Sequence, residues 1–372
     1  MDAVVLVGGE GTRLRPLTYD TPKQMLCLVD RPGIAHVARW LSAHGVARVV
    51  LSLGYRPDVF LQAFPEGRIE GIELVYAIEP EPLDTAGAVR FAAEAAGVTE
   101  RFLVLNGDVL TDFDVTALVA LHDRAGADAS IHLTPVADPS AFGVVDVGPD
   151  GRVRSFVEKP APEKAPTNLV NAGTYVLEAT VLKRIPPGRR VSIERETFPE
   201  LASDGGLYAL ASAEYWTDTG TPAEFIQAAV DIVSGRRSAA GVRPAAPEVA
   251  PGVFAHLEDC GGGRRPDKSL DDLLSAAAGP LYAGKGALIG AGAEAGEAVL
   301  ADRSELGEGS RVAHSVLMAG AVVEAGAEVR DSIVGPGAVV GRGARVGGLS
   351  IVRGQSRVPA GAVLDAARFP GP

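Results

Sequence analysis

A glycine-rich, basic segment near the start of the chain has the composition of an anion-binding loop. An apolar run, Val4–Val7, leads directly into Gly8-Gly9-Glu10-Gly11-Thr12-Arg13-Leu14-Arg15-Pro16. Glycine lacks a Cβ atom, so the backbone N–H groups of such a loop can close around an anion, and the two arginines add positive charge. The segment therefore predicts a polyphosphate site; the alternative is a tight strand-to-helix turn with two solvated arginines. Its spacing matches neither the P-loop nor the G-x-G-x-x-G fingerprint.

Two aspartates and one lysine have the chemistry to hold a polyphosphate together with a metal ion. Asp108 follows the predicted strand Phe102–Leu105, and Asp218 lies just before a predicted helix. Two carboxylates beside a polyphosphate predict Mg²⁺, which takes few protein oxygens and leaves room for phosphates. Lys23, shortly after the glycine-rich loop, predicts a second contact to the polyphosphate. Each residue alone has a simpler interpretation: Asp108 as a turn residue, Asp218 as a helix cap and Lys23 as a solvated side chain.

A third group of residues could hold a phosphorylated second substrate. Glu158-Lys159-Pro160 follows the predicted strand Val153–Val157, and Asn171-Ala172-Gly173 opens the next strand. Lys159 suits a monophosphate, while Glu158 and Asn171 can exchange hydrogen bonds with hydroxyl groups. The alternative is an exposed Glu-Lys pair before a proline.

Charge, cysteine usage and histidine spacing argue against several other functions. The net charge of −12 argues against a nucleic-acid or anionic-membrane surface. Only Cys27 and Cys260 are present and the six histidines show no metal-ligand spacing, so neither a disulfide framework nor a histidine–cysteine metal site is expected. There is no G-x-S-x-G elbow. The chain enters a strand almost at once and lacks an apolar stretch of about 20 residues, so we expect a cytoplasmic protein without signal peptide or membrane span.

Strands and helices alternate over residues 1–236, which predicts βαβ units and a Rossmann-like, mostly parallel α/β sheet. Ligands of such a sheet bind at the carboxyl ends of its strands. A linker over residues 237–280, with one short helix near Leu270–Ala277, is expected to follow. The predicted helices are Ile34–Ala43, Ala86–Ala96 and Ala223–Val233, and the predicted strands are Val4–Val7, Arg48–Leu53, Leu74–Ala77, Phe102–Leu105, Ala129–Leu133 and Gly173–Leu177.

Residues 281–372 predict a parallel β-helix of hexapeptide repeats. Aliphatic residues recur every six positions, with one-residue slips between blocks. Three hexads form one triangular coil whose interior the aliphatic side chains fill; a disordered Gly- and Ala-rich tail would not keep them in phase. Because solenoids of this kind commonly mediate self-association, we expect a homo-oligomer. The aliphatic positions are Leu300, Leu306, Val312, Leu317, Val323, Val329, Val334, Val340, Val346, Val352, Val358 and Leu364.

In this order, these segments resemble the sugar-1-phosphate nucleotidyltransferase family, in the branch that acts on mannose 1-phosphate and ends in a left-handed β-helix. The resemblance covers residues 1–236 nearly continuously and the hexapeptide region more loosely. It implies transfer of a nucleotidyl group from an NTP to a sugar 1-phosphate, with release of pyrophosphate and with Mg²⁺ as cofactor. The segments that carry it are Gly8 to Thr18, Pro22-Lys23, Asn106-Gly107-Asp108, Phe142 to Val145, Phe156 to Pro160, Asn171-Ala172-Gly173 and Trp216 to Pro222.

The resemblance also implies a role for each matching residue. The residues implied to be catalytic are Arg13 and Lys23, on the departing phosphates, and Asp108 and Asp218, as the Mg²⁺ ligands. Those on the nucleotide are Leu6, Gly8, Gly9, Gly11, Thr12, Arg13, Glu79, Asp84, Thr85, Gly87, Asn106 and Gly107. Those on the sugar phosphate are Gly143, Glu158, Lys159, Asn171 and Gly173.

Glu79 lies where members of the family place a base-contacting side chain, and its chemistry favours guanine. A carboxylate accepts from two adjacent donors, and guanine offers N1–H and N2–H₂ side by side. Thymine and uracil offer one N–H between two carbonyls, which suits glutamine and repels a carboxylate. GTP is therefore the favoured nucleotide.

Three departures from the family pattern bear on base and sugar preference. Asp84 stands where the family has a glycine, Gln24 replaces a proline as in thymidylyltransferases, and Cys27-Leu28 replaces Leu-Pro. The open alternatives are a thymidylyl- or uridylyltransferase for glucose 1-phosphate and a guanylyltransferase for a cyclitol phosphate such as valienol 1-phosphate. Two further alternatives are a non-catalytic regulatory subunit that senses an NDP-sugar and a hexapeptide acyltransferase that uses His314.

Overall fold

The computed structural model describes residues 1–237, 243–256 and 270–371, and the chain forms two compact units. Met1–Gly9 and Ile34–Thr217 make up the first unit, and Glu10–Gly33 with the chain from Asp218 onward makes up the second. The glycine-rich loop is thus divided after Gly9. Cys260 lies outside the described residues. The domain boundaries at residues 236 and 280 stay predictions.

The first unit is built on a mixed sheet of ten strands. Its central strands, Phe102–Asn106, Asp2–Leu6, Arg48–Leu53 and Ile72–Ile78, are parallel neighbours in that order. In the strand Asp2–Leu6, side chains such as that of Val4 are fully buried. A parallel strand covered on both faces reads as a continuous apolar run, which is why the sequence pattern located this part of the fold.

The other half of this sheet is largely antiparallel, which the alternation of strands and helices does not indicate. Leu169–Leu177 runs antiparallel to Phe102–Asn106 and to Ala129–Pro135. Gly143–Val147 and Val153–Glu158 form an antiparallel pair beside it. A parallel crossover needs a connection of a dozen or more residues, and these two strands are joined by far fewer. The remaining strands of the sheet are Arg68–Ile69 and Leu207–Ala211.

One helix shows how capping residues satisfy free backbone groups. Val115–Ala125 begins after Asp114, whose carboxylate accepts from the N–H of Thr116, and ends at Gly126 in a left-handed conformation. Among the described helices, none is long and apolar enough to cross a membrane. The other α-helices are Gly33–Ala43, Pro57–Ala63, Asp84–Ala95, Phe198–Ser203, Pro222–Ser234 and Leu270–Ala276. The short 3₁₀ and π turns are Thr12–Leu14, Leu17–Tyr19, Lys23–Met25, Pro162–Lys164, Ala179–Arg184 and Ile193–Thr197.

The second unit contains a parallel β-helix. Ala295 pairs with Val312, Val312 with Val329 and Val329 with Val346, so each of these coils takes 17 residues. Two sides of six residues and one of five make up such a coil, which accounts for the one-residue slips in the aliphatic period. Val340 pairs with Val358, 18 positions on, where the period is an unbroken six. The handedness stays a prediction.

The sheet of the β-helix includes strands from the segment predicted as a linker. Val253–Ala255 pairs in parallel with Leu281–Ala283, which in turn pairs with Glu294–Leu300. The other strands of the β-helix are Glu248–Ala250, Leu288–Ile289, Glu305–Leu306, Arg311–Leu317, Val322–Val323, Glu328–Arg330, Ile333–Val334, Val339–Val340, Arg345–Gly347, Ile351–Val352, Arg357–Val358, Val363–Asp365 and Arg368–Phe369. Four short strands complete the described part of the chain: Cys27–Leu28, Arg31–Pro32, Val109–Thr111 and Trp216–Asp218.

Candidate active site

The part of the glycine-rich loop in the second unit is a compact turn around Gly11. Gly11 has a φ of 61°, which glycine adopts without strain. A Cβ at this position would lie 3.1 Å from both Lys23 Cβ and Thr18 Cγ2. The hydroxyl of the fully buried Thr18 donates to the Gly11 carbonyl at 2.8 Å. The turn therefore brings the predicted phosphate ligand Lys23 against Gly11, while Thr12 begins a short 3₁₀ turn and is exposed.

Arg13 lies beside Asp218 in the same unit. Nη2 of Arg13 is 3.9 Å from Oδ2 of Asp218, and the arginine side chain is 60% exposed. The N–H of Gly220 donates to Oδ1 of Asp218 at 2.8 Å. The helix that follows is capped by Thr221, whose hydroxyl accepts from the N–H of Glu224. The simpler interpretation of Asp218 as the helix cap is therefore wrong.

In the first unit, predicted nucleotide residues collect at the carboxyl ends of the parallel strands. Leu6 pairs with Asn106 on the neighbouring strand, and its carbonyl accepts from the N–H of Gly107 at 2.9 Å. A Cβ on Gly107 would lie 2.5 Å from Cγ1 of Val7, so a side chain does not fit there. Asp108 follows directly and is half-buried. The close approach at Gly107 thus sets where the predicted metal ligand leaves the sheet.

Glu79 is held beside Gly8 by two hydrogen bonds. One carboxylate oxygen accepts from the hydroxyl of Ser52 at 2.9 Å, and the other accepts from the N–H of Leu83 at 3.2 Å. A Cβ on Gly8 would lie 3.4 Å from the first of these oxygens, and Gly8 and Gly9 are both exposed. An ionised carboxylate has about four lone-pair sites, so Glu79 keeps acceptor capacity for the N–H groups of a base.

Asp84 has a left-handed backbone conformation, which glycine adopts without strain. Its φ is 60°, and its carboxylate accepts from the N–H of Thr85 at 2.8 Å. Aspartate tolerates this region because of such local hydrogen bonds, so the departure from glycine leaves the turn in place. The Thr85 hydroxyl donates to Glu194 at 2.7 Å, and a Cβ on Gly87 would lie 2.8 Å from the carbonyl of Arg189. These contacts join the segment to the chain around residues 189–194.

The predicted sugar-phosphate residues lie in the antiparallel half of the sheet. Nζ of Lys159 is 3.4 Å from Oε1 of Glu158, and a Cβ on Gly143 would lie 2.9 Å from Oε2 of the same residue. Lys159 has a φ of 49°, an uncommon conformation for lysine. The Asn171 carbonyl oxygen accepts from the N–H of Gly173 at 3.0 Å. Because the strand that begins at Gly143 pairs with both neighbouring strands, the five predicted residues form one group.

Gly173 joins the sugar-phosphate group to the nucleotide strands. Its φ is 74°, and a Cβ here would lie 2.6 Å from Nδ2 of Asn106. The indole N–H of Trp216 donates to the carbonyl of Ala172, the residue before it, at 2.9 Å. The ring of Trp216 packs edge to face on Phe142. The predicted sugar and nucleotide residues of the first unit are therefore continuous through Asn106 and Gly173.

Glu194 and Arg195 also lie near the predicted sugar-phosphate residues, although neither is part of a motif recognised in the sequence. Burial, followed by repulsion from Glu194, raises the pKa of Glu158, while the positive charges of Lys159 and Arg195 oppose the rise. Burial and the same Glu194 charge also raise the pKa of Tyr175. The sequence held a signal for these residues: Glu194-Arg195 follows the buried Val191-Ser192-Ile193, much as Glu158-Lys159 follows its own strand.

The residues present fit a magnesium ion that arrives with a polyphosphate. Within the described part of the chain, no group of three or more His, Cys, Asp or Glu side chains could hold a metal by itself. Mg²⁺ prefers oxygen ligands and is usually bound by one or two carboxylates together with substrate phosphates. Asp108 in the first unit and Asp218 in the second each carry a carboxylate, the ligand type that Mg²⁺ prefers, whereas a zinc site would need histidine or thiolate ligands.

Two protein-family models match this chain. A model described as nucleotidyl transferase matches residues 2–235, which is more than half of the chain. The chain belongs to the nucleotidyl transferase family. All the site residues predicted from the sequence lie inside the matched segment. A second model, described as the GMPPB C-terminal domain, matches residues 277–368, where the β-helix lies.

Curated relatives of this nucleotidyl transferase agree with that assignment. The mannose-1-phosphate guanylyltransferase of Mycobacterium tuberculosis is 39% identical over 300 residues, which cover 80% of this chain and 77% of that protein. The mannose-1-phosphate guanylyltransferase 1 of Arabidopsis thaliana is 42% identical over 232 residues, covering 61% of this chain and 63% of that protein. The chain therefore spans slightly less than two thirds of the plant relative.

A solved structure supports the nucleotidyl transferase fold. HddC from Yersinia pseudotuberculosis, crystallised in complex with GMP-PN, is 29% identical with a TM-score of 0.53. The match covers 61% of this chain and 97% of that chain. The similarity therefore spans nearly the whole of HddC.

Proposed function

We propose that this protein transfers GMP from GTP to mannose 1-phosphate, giving GDP-mannose and pyrophosphate. The observation that carries the proposal is the 39% identity to the Mycobacterium tuberculosis mannose-1-phosphate guanylyltransferase over 80% of this chain. The arrangement of the site residues supports the same reaction, because basic side chains and tight glycine turns suit two phosphorylated substrates.

Glu79 supports GTP as the nucleotide. Both of its oxygens are held by hydrogen bonds from Ser52 and Leu83, so the carboxylate has one fixed orientation beside Gly8. A fixed carboxylate pairs well with the adjacent N1–H and N2–H₂ donors of guanine. It would repel the carbonyl oxygens that thymine and uracil present on either side of their single N–H.

The reaction is an in-line displacement at phosphorus. A phosphate oxygen of mannose 1-phosphate forms a bond to the α-phosphorus of GTP, and the bond from that phosphorus to the β-phosphate oxygen breaks, which releases pyrophosphate. Positioning and neutralisation of charge matter more for this chemistry than a protein nucleophile. Lys159 holds the attacking phosphate, and Arg13 and Lys23 neutralise the charge that develops on the departing pyrophosphate.

The backbone at Lys159 supports its role in holding the attacking phosphate. The residue has a φ of 49°, and its N–H donates to the carbonyl of Phe142 at 2.9 Å. Left-handed conformations of large residues persist where surrounding contacts hold them, and they are concentrated at functional sites. The lysine side chain is 58% exposed, so its ammonium group is accessible to a substrate.

We propose Mg²⁺ as the metal, held by Asp108 and Asp218. When bound, it neutralises phosphate oxygens and polarises the bond to the leaving group. Asp218 keeps its orientation through the N–H of Gly220, and the Gly107 turn sets the position of Asp108. Two carboxylates would occupy only part of the Mg²⁺ coordination shell, which usually also takes substrate phosphate oxygens.

We also propose that the protein works in the cytoplasm and self-associates through the β-helix. The cytoplasm supplies GTP, and the flat parallel sheets of a solenoid suit contact with a second copy. Light scattering coupled to size-exclusion chromatography tests the association. A monomer at micromolar concentration would contradict it.

The activity is tested by measuring pyrophosphate release with each of GTP, ATP, UTP and dTTP, paired with mannose 1-phosphate or glucose 1-phosphate. We expect turnover to be fastest with GTP and mannose 1-phosphate and to require Mg²⁺. Turnover with dTTP or UTP but not GTP would replace the guanylyl assignment by the thymidylyl or uridylyl alternative.

Two further outcomes distinguish the remaining alternatives. Turnover with GTP and valienol 1-phosphate but not with mannose 1-phosphate would identify a cyclitol substrate. Absence of turnover for every pair, together with tight binding of GDP-mannose, would indicate a regulatory subunit.

A further inference from the structure

The β-helix contacts the glycine-rich loop through a buried leucine. Leu17, at the end of the loop, is 6% exposed. A Cβ on Gly335, at a corner of the β-helix, would lie 2.9 Å from Cδ2 of Leu17. The leucine side chain therefore packs directly on the backbone of this coil, in the space left by a glycine.

A second contact comes from Arg353, on the neighbouring coil. Its guanidinium donates to the carboxylate of Asp20 at 2.8 Å. The same guanidinium lies over the ring of Tyr19, with Cζ 5.6 Å from the ring centroid. Arg15, from the loop itself, also lies over the Tyr19 ring, at 5.3 Å. Arg353 thus combines an ion pair with a cation–π contact on two consecutive loop residues.

The loop residues that Arg353 contacts are directly connected to the predicted phosphate ligands. Thr18 precedes Tyr19 in the chain, is fully buried, and donates to the carbonyl of Gly11. Gly11 lies against the side chain of Lys23 and is two residues from Arg13. A movement of Tyr19 would therefore be transmitted to Arg13 and Lys23 through the buried hydroxyl of Thr18.

The far end of the same segment is also fixed within the second unit. The carboxylate of Asp30 accepts from the N–H of Ala245 at 2.6 Å. Burial, and then the charges of Asp30 and of Asp302 on the β-helix, raise the pKa of Cys27 to about 12. The segment Glu10–Gly33, which has only short turns and a two-stranded hairpin of its own, is therefore held by contacts within the second unit near both ends.

We propose that Arg353 is a positioning residue for residues 11–23, which it orders so that Arg13 and Lys23 are presented to the polyphosphate. The β-helix then has a part in nucleotide binding as well as in assembly. The role in binding GTP depends on the proposed function, whereas the ordering of the loop does not.

Charge reversal in the full-length chain tests the proposal. The variants are Arg353→Glu, Asp20→Arg and the two combined. The control is Arg357→Glu, which breaks the ion pair of Arg357 with Glu324, 3.0 Å long and likewise on the β-helix. Hydrogen–deuterium exchange of residues 11–19 without ligand measures the order of the loop, and KM for GTP and for mannose 1-phosphate measures its effect on binding.

We expect each single reversal to raise exchange of residues 11–19 and KM for GTP by about two- to fivefold, the range for an exposed ion pair. KM for mannose 1-phosphate should stay unchanged. The double reversal should restore part of the order, because the ion pair re-forms but the contact with Tyr19 does not. Arg357→Glu should leave the hydrogen–deuterium exchange of residues 11–19 unchanged.

Two results would overturn the proposal. One is unchanged exchange of residues 11–19 in both single variants; the other is the same loss in the double variant as in the singles. If the wild-type chain shows no turnover with any nucleotide, the proposed function fails, and the exchange measurement still decides whether Arg353 orders the loop.

Discussion

At the scale of single residues, Glu79 is the side chain that we propose to read the base of the nucleotide. Its two oxygens already accept from Ser52 and Leu83, so the side chain cannot rotate to suit another base. The neighbouring Glu81 is exposed and lies on the same connection. Substitution of Glu81 is therefore a matched control for substitution of Glu79.

We expect Glu79→Gln to lower kcat/KM for GTP by about ten- to a hundredfold, the effect of leaving one buried donor unpaired. The amide nitrogen cannot accept from Leu83, and it cannot accept from guanine. Preference for GTP over dTTP should shrink at the same time, as measured by pyrophosphate release with both nucleotides. Glu81→Gln should behave like the wild type. An unchanged preference in Glu79→Gln would assign base recognition to another residue.

At Gly220, one added carbon atom would disturb the pairing of Arg13 with Asp218. A Cβ there would lie 2.6 Å from Nη2 of Arg13 and 2.8 Å from Oδ1 of Asp218. We expect Gly220→Ala to lower kcat/KM by about ten- to a hundredfold, since displacements near 1 Å cost that much in positioned chemistry. The melting temperature should hardly change, because the arginine side chain can move aside.

Gly347→Ala is the control for this substitution. A Cβ on Gly347 would meet nothing closer than 3.8 Å, so neither activity nor melting temperature should change. Full activity of Gly220→Ala would show that the observed pairing of Arg13 with Asp218 is unimportant for catalysis.

Asp108 tests the metal assignment. Asp108→Asn keeps the size of the side chain but removes one charged oxygen ligand, so we expect kcat to fall by about a hundredfold or more. The Mg²⁺ concentration needed for half-maximal rate should rise, and the circular dichroism spectrum should stay the same. Near-normal rates at ordinary Mg²⁺ concentration would rule out Asp108 as a ligand.

At the scale of elements, the sequence pattern located four of the described helices and the central parallel strands. It missed the helices Pro57–Ala63, Val115–Ala125 and Phe198–Ser203, and it did not give the direction of the other strands. The period of apolar residues distinguishes strand from helix, and for this reason Ala86–Ala96 was found within two residues of the observed Asp84–Ala95. Strand direction depends on the connection between consecutive strands, and the period of apolar residues carries no information about that connection. The antiparallel pair Gly143–Val147 and Val153–Glu158 is the clearest case.

The same limit explains which site residues sequence motifs missed. Glu158 and Lys159 belong to a recognisable motif, whereas Glu194 and Arg195 come from a π turn about 35 positions later along the chain. They join Glu158 only because the sheet and the turn that carry them fold together. Their effect on the pKa of Glu158 is a property of three-dimensional proximity, so no spacing in the sequence could express it.

The strand Ala129–Pro135 carries a buried histidine that makes stability depend on pH. Burial lowers the pKa of His132 to about 3. Its ring stacks on Phe113 with 3.7 Å between centroids, and its Nε2 lies 3.0 Å from the hydroxyl of Ser212. Within the described residues Nδ1 has no hydrogen-bond partner, so a second proton would find no acceptor.

We expect this histidine to destabilise the fold as the pH falls below 7. The unfolded residue has a pKa of about 6.5, so below that value the unfolded chain binds more protons than the folded one, and stability decreases down to about pH 3. Between pH 7 and 5.5 the loss from this residue should be about 1 kcal/mol. Urea denaturation over this range should show a weaker pH dependence for His132→Phe. An equal pH dependence of stability in the wild type and in His132→Phe would show that another group titrates over this range.

At the scale of the whole molecule, the β-helix imposes a strict count on the chain. The interior valines Val340, Val346, Val352 and Val358 are at most 2% exposed, and each lies above its counterpart in the previous coil. Adding or removing a number of residues that does not make up whole sides of the coil would turn these side chains out of the interior. Changes of a whole coil keep every row aligned.

A duplication tests this count. Inserting a second copy of residues 341–358 after Val358 adds one complete coil, so we expect a folded protein with a melting temperature close to that of the wild type. Inserting only residues 343–358 places the next valines out of phase and should lower the melting temperature markedly or prevent folding. Equal thermal stability of the two insertions, measured by circular dichroism, would contradict a fixed coil length.

The contact between Asp20 and Arg353 also has a consequence in time. Its two residues are 333 positions apart, so the ribosome makes Arg353 long after Asp20. At about 5–20 residues per second, the segment around Asp20 waits roughly 15 to 65 seconds for its partner. If Arg353 orders residues 11–23 as proposed, the nascent chain gains this order only after the coil that carries Arg353 has been made.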